Sequence, residues 1–165
     1  MTRLTTKRLI LRAGQDDDLG PLFSVYSDPR AMRFWSTPRH ASPDETQSLL
    51  DRLSKLGDRL YFVVEYQGIA VGTCGIHEGS EIGFILHPDQ WRKGIMSEAA
   101  RAVITHVWAT TTYTEITADI DPRNTASQGI LTALGFTQTS YAKDTFFING
   151  EWSDSAYFTL YRDPK

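Results

Sequence analysis

The stretch of this chain richest in potential chemistry is Glu81-Ile-Gly-Phe-Ile-Leu-His-Pro-Asp-Gln-Trp-Arg-Lys-Gly-Ile-Met-Ser-Glu-Ala-Ala, a strand pattern that passes through a short polar loop into a helix pattern. A helix start leaves backbone N–H groups without intrahelical acceptors and carries partial positive charge, so a phosphate placed there satisfies both. Gly94 removes a side chain where a ligand would approach, and Arg92 and Lys93 add formal charge. The combination suits a pyrophosphate, although a glycine before a helix is also common punctuation and Arg-Lys in a loop is also an ordinary solvated face. The chain contains no G-x-x-x-x-G-K-[ST] loop and no G-x-G-x-x-G after a strand, so the common nucleotide loops do not describe it.

Other groups able to move a proton cluster near this segment. Glu81 alternates onto the strand face that carries Gly83 and Ile85, while His77 and His87 titrate near neutral pH. In Asp121-Pro-Arg-Asn-Thr-Ala-Ser the spacing brings Asn124 and Ser127 together at a helix start, where they read as a capping pair. Cys74, in Val71-Gly-Thr-Cys-Gly, has no base beside it in sequence and reads as a small buried hydrophobe. His40, His77, His87 and His106 lack paired ligand spacing, so no metal is expected.

The elements that must hold these groups follow from periodicity. Arg8–Ala13 reads as a first strand, and Asp16-Asp17-Asp18 introduces a helix through Leu19, Leu22, Phe23 and Tyr26. A second helix starts at Ser42-Pro43-Asp44-Glu45, with Ser42 as N-cap, and buries Leu49, Leu50, Leu53 and Leu56. Leu60–Tyr66 and Ile69–Ile76 form a hairpin through Gln67-Gly68, and Glu81–Leu86 continues the meander. A helix from about Ile95 to Trp108, a strand at Glu115–Ile120 and a helix from Asn124 to Leu134, stopped by Gly135, make a crossover unit. Two last strands turn at Asn149-Gly150. The expected fold class is α+β, with a mixed, mostly antiparallel sheet flanked by helices.

Composition bounds the function. A length of 165 residues with 41% hydrophobic content fits one domain, residues 1–165, with a continuous core. The net charge of -3 gives no chain-wide basic field, which disfavours direct nucleic-acid binding. No run of about 18 uncharged apolar residues occurs, so no membrane span is expected. The N-terminus shows no secretory pattern and there is a single cysteine, which together suit a reducing cytoplasmic setting.

Trp91-Arg-Lys-Gly-Ile-Met resembles the Q/R-x-x-G-x-G/A acetyl-CoA-binding motif of the GCN5-related N-acetyltransferase (GNAT) superfamily, with Gly94 at the central glycine. Trp91 and Met96 depart from its first and last positions, as in the branch that acetylates ribosomal-protein N-termini on alanine or serine, where the loop reads W-G-K-G-x-x-x-E-A. TKRLILR, EIGFIL, the N-x-x-S opening of the late helix, LGF at its end and NGEWSDSAYFTL follow that branch's order across nearly the whole chain. The resemblance implies an enzyme that passes the acetyl group of acetyl-CoA to a primary amine. It implies that backbone amides of Arg92, Lys93, Gly94, Ile95, Met96 and Ser97 cradle the diphosphate beside Trp91. Ile85 and Leu86 would pair with the pantetheine arm as an added strand does.

Thioester aminolysis needs a free amine, a stabilised oxyanion and a proton for the departing thiolate. By the resemblance Glu81 is the base, with His77 and His87 as rivals. Asn124 contacts the cofactor and Ser127 supplies the acid, with Tyr141 as the other choice. The acceptor falls to Phe34, Trp35, His40 and Trp152, aromatics that line a pocket or else fill the core. It is an α-amine of a protein N-terminus or small molecule; an antibiotic or polyamine acceptor, or a non-catalytic acyl-CoA-binding module, are the competing functions. Exposed C-terminal strands make a homodimer an option.

Overall fold

The structure is a computed structural model that describes residues 2–55 and 60–164. Its eight strands are β1 (Leu4–Thr5), β2 (Leu9–Arg12), β3 (Tyr61–Tyr66), β4 (Ile69–Glu78), β5 (Glu81–Leu86), β6 (Glu115–Ile120), β7 (Thr137–Ile148) and β8 (Glu151–Tyr161). Its helices are α1 (Leu19–Tyr26), α2 (Pro43–Ser54), α3 (Ile95–Thr110) and α4 (Thr125–Ala133). The strands form one sheet in the order β1-β2-β3-β4-β5-β6-β8-β7, antiparallel everywhere except β5 against β6. This is the mixed, mostly antiparallel sheet expected from the sequence.

Local chemistry explains the turns and helix starts. Gln67 (φ 53) and Gly68 (φ 79), then Asn149 (φ 54) and Gly150 (φ 78), adopt the paired left-handed conformations that tight hairpins need. At α2 the Ser42 and Glu45 side chains close a reciprocal capping box with Pro43 in the first turn. Leu56, expected on this helix, lies outside the described residues.

The sheet carries a core on each face. Against α3 and α4 pack Leu11, Val64, Cys74, Ile82 and Leu86, whereas Val63, Ala70 and Ile85 face Leu22, Val25, Leu50 and Leu53 of α1 and α2. Alternation along β5 thus sends Ile82 to one layer and Ile85 to the other. Arg162 closes the far end of α3, donating to the carbonyls of Trp108, Thr111 and Tyr113 at 2.6–2.9 Å, with its guanidinium over the Trp108 ring.

Two irregularities shape the site. β5 pairs with β6 at Glu81↔Thr117 alone, so beyond that point the strands separate and the β6-facing edge of β5 has no ladder partner among the described residues. In β4 the register shifts between Ile76 and Glu78, a bulge that leaves His77 as the extra residue opposite the start of β5.

Candidate active site

The loop after β5 is built for an anion. His87 accepts the Asp89 N–H on Nδ1 at 3.1 Å and so starts a short turn over Pro88–Gln90. Trp91 then folds back, its Nε1–H donating to the Leu86 carbonyl at 3.0 Å. Arg92 (φ 60) and Gly94 (φ 73) both take left-handed backbone, which swings successive amides to one side as α3 begins. From Arg92 through Ser97 no backbone N–H donates to a protein acceptor among the described residues; the ladder begins with Glu98 N–H on the Gly94 carbonyl, at 3.1 Å.

A second layer fixes this loop. Arg8 donates from Nη1 to the Lys93 carbonyl at 2.8 Å and from Nε to Glu98 at 2.7 Å, while Thr6 and the Arg8 amide also donate to Glu98. Burial pushes the Glu98 carboxyl up, but these donors outweigh it and hold the group below its ordinary range. Lys93 Nζ reaches Gln90 at 3.0 Å. The side chains of Ile85, Leu86, Ile95 and Met96 are buried in the cores, so these residues offer a ligand their backbone only.

On the α1/α2 face a cleft of about 1100 Å³ opens over the first half of β5. Phe34, Trp35, His40, His77, Glu81 and Asp119 are among its lining residues. Tyr61, Gly75 and Gly83 lie in one row across β3, β4 and β5; Gly75 lets the Leu60–Tyr61 backbone approach, and Gly83 lines the cleft without a side chain. A Cβ on Gly83 would stand 3.1 Å from the His77 ring, which lies over it.

His77 Nε2 and Glu81 Oε1 are 2.9 Å apart. That hydrogen bond raises the His77 imidazole above its ordinary value; burial opposes the rise, and the negative charges of Glu81, Glu78 and Asp119 add to it. Asp119, on β6 across the opening, is pushed up by burial first and then by the Glu81 charge. Nothing in the sequence marked Asp119 beyond its place in a strand.

At the mouth, Arg33 and Arg123 both pair with Glu151, at 2.9 and 3.3 Å, and Arg123 also pairs with Asp121 at 2.6 Å. Both guanidiniums lie over the Phe34 ring. Tyr26 and Tyr61 share the Thr73 hydroxyl at 2.8 and 3.0 Å; His40 stacks on Tyr26, and burial lowers the His40 imidazole.

The remaining expected residues fall elsewhere. Asn124 caps α4, its Oδ1 accepting the Ser127 amide at 3.1 Å; the Ser127 hydroxyl makes no hydrogen bond among the described residues. Neither lines the cleft over β5. Trp152, expected in the acceptor pocket, is exposed and packs on Phe147 outside it, because alternation turns Glu151 and Ser153 inward and Trp152 outward. Tyr141 is exposed, with its hydroxyl on Asp154, and His87 is committed to its loop turn. Burial pushes the Cys74 thiol well up, so it carries no thiolate chemistry. No group of residues suited to a metal ion occurs among the described residues.

A free run of amides at a helix start, beside a strand edge with no partner, is the arrangement that a diphosphate with an extended arm would satisfy. Residues 8–137 match the family description "Acetyltransferase (GNAT) domain". The chain belongs to the GNAT acetyltransferase family. A ribosomal protein uS5 alanine N-acetyltransferase from Escherichia coli (strain K12) is 30% identical over 174 residues, covering 96% of this chain and 90% of that one. A spermidine N(1)-acetyltransferase from the same strain is 22% identical over 158 residues, covering 92% and 85%. A structure described as RimL, a ribosomal L7/L12 alpha-N-protein acetyltransferase in complex with coenzyme A, superposes with a TM-score of 0.87 at 19% identity, covering 99% of this chain and 100% of that one. The GNAT chain described here is therefore an acetyl-CoA N-acetyltransferase in class. No helix among the described residues is long and apolar enough to cross a membrane.

Proposed function

We propose that this enzyme transfers the acetyl group of acetyl-CoA to an α-amino group, of a protein N-terminus or a small molecule, by direct attack where β5 and β6 separate. The observation that carries the reading is that two half-sites share one strand, β5, the loop of free amides following its end and the cleft lying over its start. On one side lie the free amides of Arg92–Ser97 and the unpaired edge of β5; on the other, the His77–Glu81 pair stands in a cleft wide enough for an amine on its carrier. The cofactor supplies the activated acyl group. The chain holds its diphosphate on the amides from Arg92 to Ser97 and its arm on the backbone of Ile85 and Leu86, with Asn124 alongside.

An α-amine titrates near 7.7–8.0, so a modest base suffices. Glu81 takes the proton as one unit with His77, whose imidazole the Glu81 hydrogen bond raises above its ordinary value. Ser127, whose hydroxyl is uncommitted, donates to the departing thiolate. Residues 1–165 work as one domain, since β7 and β8, largely outside the matched span, complete both sheet and cleft. The setting is cytoplasmic and the assembly a homodimer along the free edge of β7. Release of free thiol from acetyl-CoA across a panel of N-terminal peptides and small amines tests the reading; tight coenzyme A binding without turnover on any amine would leave only a binding module.

A further inference from the structure

The acceptor cleft is electrically divided. Its sheet side carries Glu78, Glu81 and Asp119, with Asp154 farther along on β8. Glu81 and Asp119 act on one another through charge, and the single imidazole of His77 does not balance the group. The helix side carries Arg39 and Arg52 beside Tyr26, Trp35, His40 and Tyr61. The Arg52 charge is felt at Tyr26 and Tyr61, and at His40 together with the larger, opposite charge of Glu45, which the helix cap holds behind the wall. The other ionic residues at the mouth, Arg33, Arg123, Glu151 and Asp121, are paired among themselves. They leave an acidic pole at the reacting end and a basic pole on the helix side of the cleft.

We infer that the acceptor is a dipolar molecule, a primary amine whose carrier bears an anionic group, seated with its ammonium against Glu81 and Asp119 and its anion against Arg39 and Arg52. The inference rests on the amine transfer proposed above and narrows it. The sheet sets the scale of the cleft: Tyr61, at the aromatic wall, and Gly83, beneath His77, are separated by two strand spacings, about 10 Å. An extended peptide covers that distance in about three residues. A carboxylate at the second or third position of an N-terminal peptide therefore reaches the basic pole. A free polyamine meets the acidic pole with one end and places its next ammonium toward two arginines, which repel it.

The test compares kcat/KM for thiol release with Ser-Glu-Glu-Gly, Ser-Gln-Gln-Gly and Ser-Lys-Lys-Gly peptides, an N-acetylated diamino control, β-alanine as a small dipolar amine, and spermidine. We expect the glutamate peptide to exceed the lysine peptide by on the order of tenfold, the size that two solvent-screened ion pairs supply. Ionic strength near 1 M, where the screening length is about 3 Å, should erase the difference. The double variant Arg39→Gln/Arg52→Gln should lose the preference, and Arg39→Lys/Arg52→Lys should keep it. A better rate with β-alanine than with the peptides identifies a small molecule as the carrier; the reverse identifies a protein N-terminus. Lysine peptide or spermidine turned over as fast as the glutamate peptide, or a preference that survives the glutamine variant, overturns the inference. Calorimetric binding of the same peptides to the coenzyme A-loaded protein separates the two levels: preferential binding of the glutamate peptide without thiol release supports the dipolar cleft and refutes the transfer step proposed for it.

Discussion

Replacing either member of the His77–Glu81 pair should cost nearly as much as replacing both. The two groups sit 2.9 Å apart, with side chains 45% and 36% exposed. A base of this kind contributes roughly 10²–10⁴-fold to a rate, and such exposure places this one at the lower end, about 10². Glu81→Gln removes the carboxylate that raises His77, and His77→Gln leaves a lone carboxylate, a weaker base than an imidazole. Each single variant should therefore lose about 10² in kcat/KM, roughly 2.7 kcal/mol of barrier, and the double variant little more, because groups acting as a unit are not additive.

The pH profile carries the sign of the effect. The proton-accepting form of the pair has neutral His77, so the acidic limb of kcat/KM lies above the ordinary imidazole value in the native enzyme. Glu81→Gln removes the first cause of that rise and moves the limb to lower pH; His77→Gln abolishes it. The amine's own limb, near 7.7–8.0 for an α-amine, stays put in every variant and serves as the internal control. Thiol release followed across pH, with coenzyme A affinity checked by calorimetry, provides the data. Additive losses in the double variant, or limbs that do not move, would refute the pair as the base.

Further outcomes follow from the loop and the caps. Gly94→Glu should weaken coenzyme A binding by at least tenfold, since a side chain at φ 73 costs about 1–2 kcal/mol and its charge opposes the diphosphate; unchanged affinity by calorimetry removes the loop from the binding site. Ser127→Ala should slow turnover several-fold with no change in Tm, because the cap at α4 uses the Ser127 amide and not its hydroxyl. Arg162→Ala should lower stability by about 3 kcal/mol, seen as a lower denaturant midpoint, by freeing three carbonyls at the end of α3; a midpoint at the wild-type value contradicts that role.

The elements were legible where the chain itself sets the conformation. Ser42 and Glu45, Gln67-Gly68 and Asn149-Gly150 are local devices, and the structure uses each as the residue types require. β1 escaped because Leu4–Thr5 is too short to show a period, and α3 runs to Thr110 where polar threonines blur its end. The two shifts along β7, between Gln138 and Ser140 and between Ala142 and Phe146, leave no mark that single-residue propensity reads.

The site divides the same way, and for a physical reason. A phosphate loop is contiguous, so Arg92, Lys93 and Gly94 announced themselves, and Glu81 did so through the strand that leads there. The cleft is assembled from six strands, a helix pair and their connecting loops, and its residues owe their meaning to strand pairing. His77 follows Thr73 and Gly75 by alternation onto the cleft face of β4, and the pairing of β4 with β5 brings it against Glu81. The bulge between Ile76 and Glu78 sets Glu78 rather than His77 opposite Glu81 in the ladder. Asp119 joins them only because β6 lies parallel to β5 in the Glu81↔Thr117 register and then diverges. Trp152 shows the converse: aromatic and near the right turn, it sits one position out of phase and faces solvent, while Glu151 and Ser153 on either side line the cleft. The lining of the cleft is thus set by strand phase, which aims a side chain without altering the loop after β5 or the core beneath it.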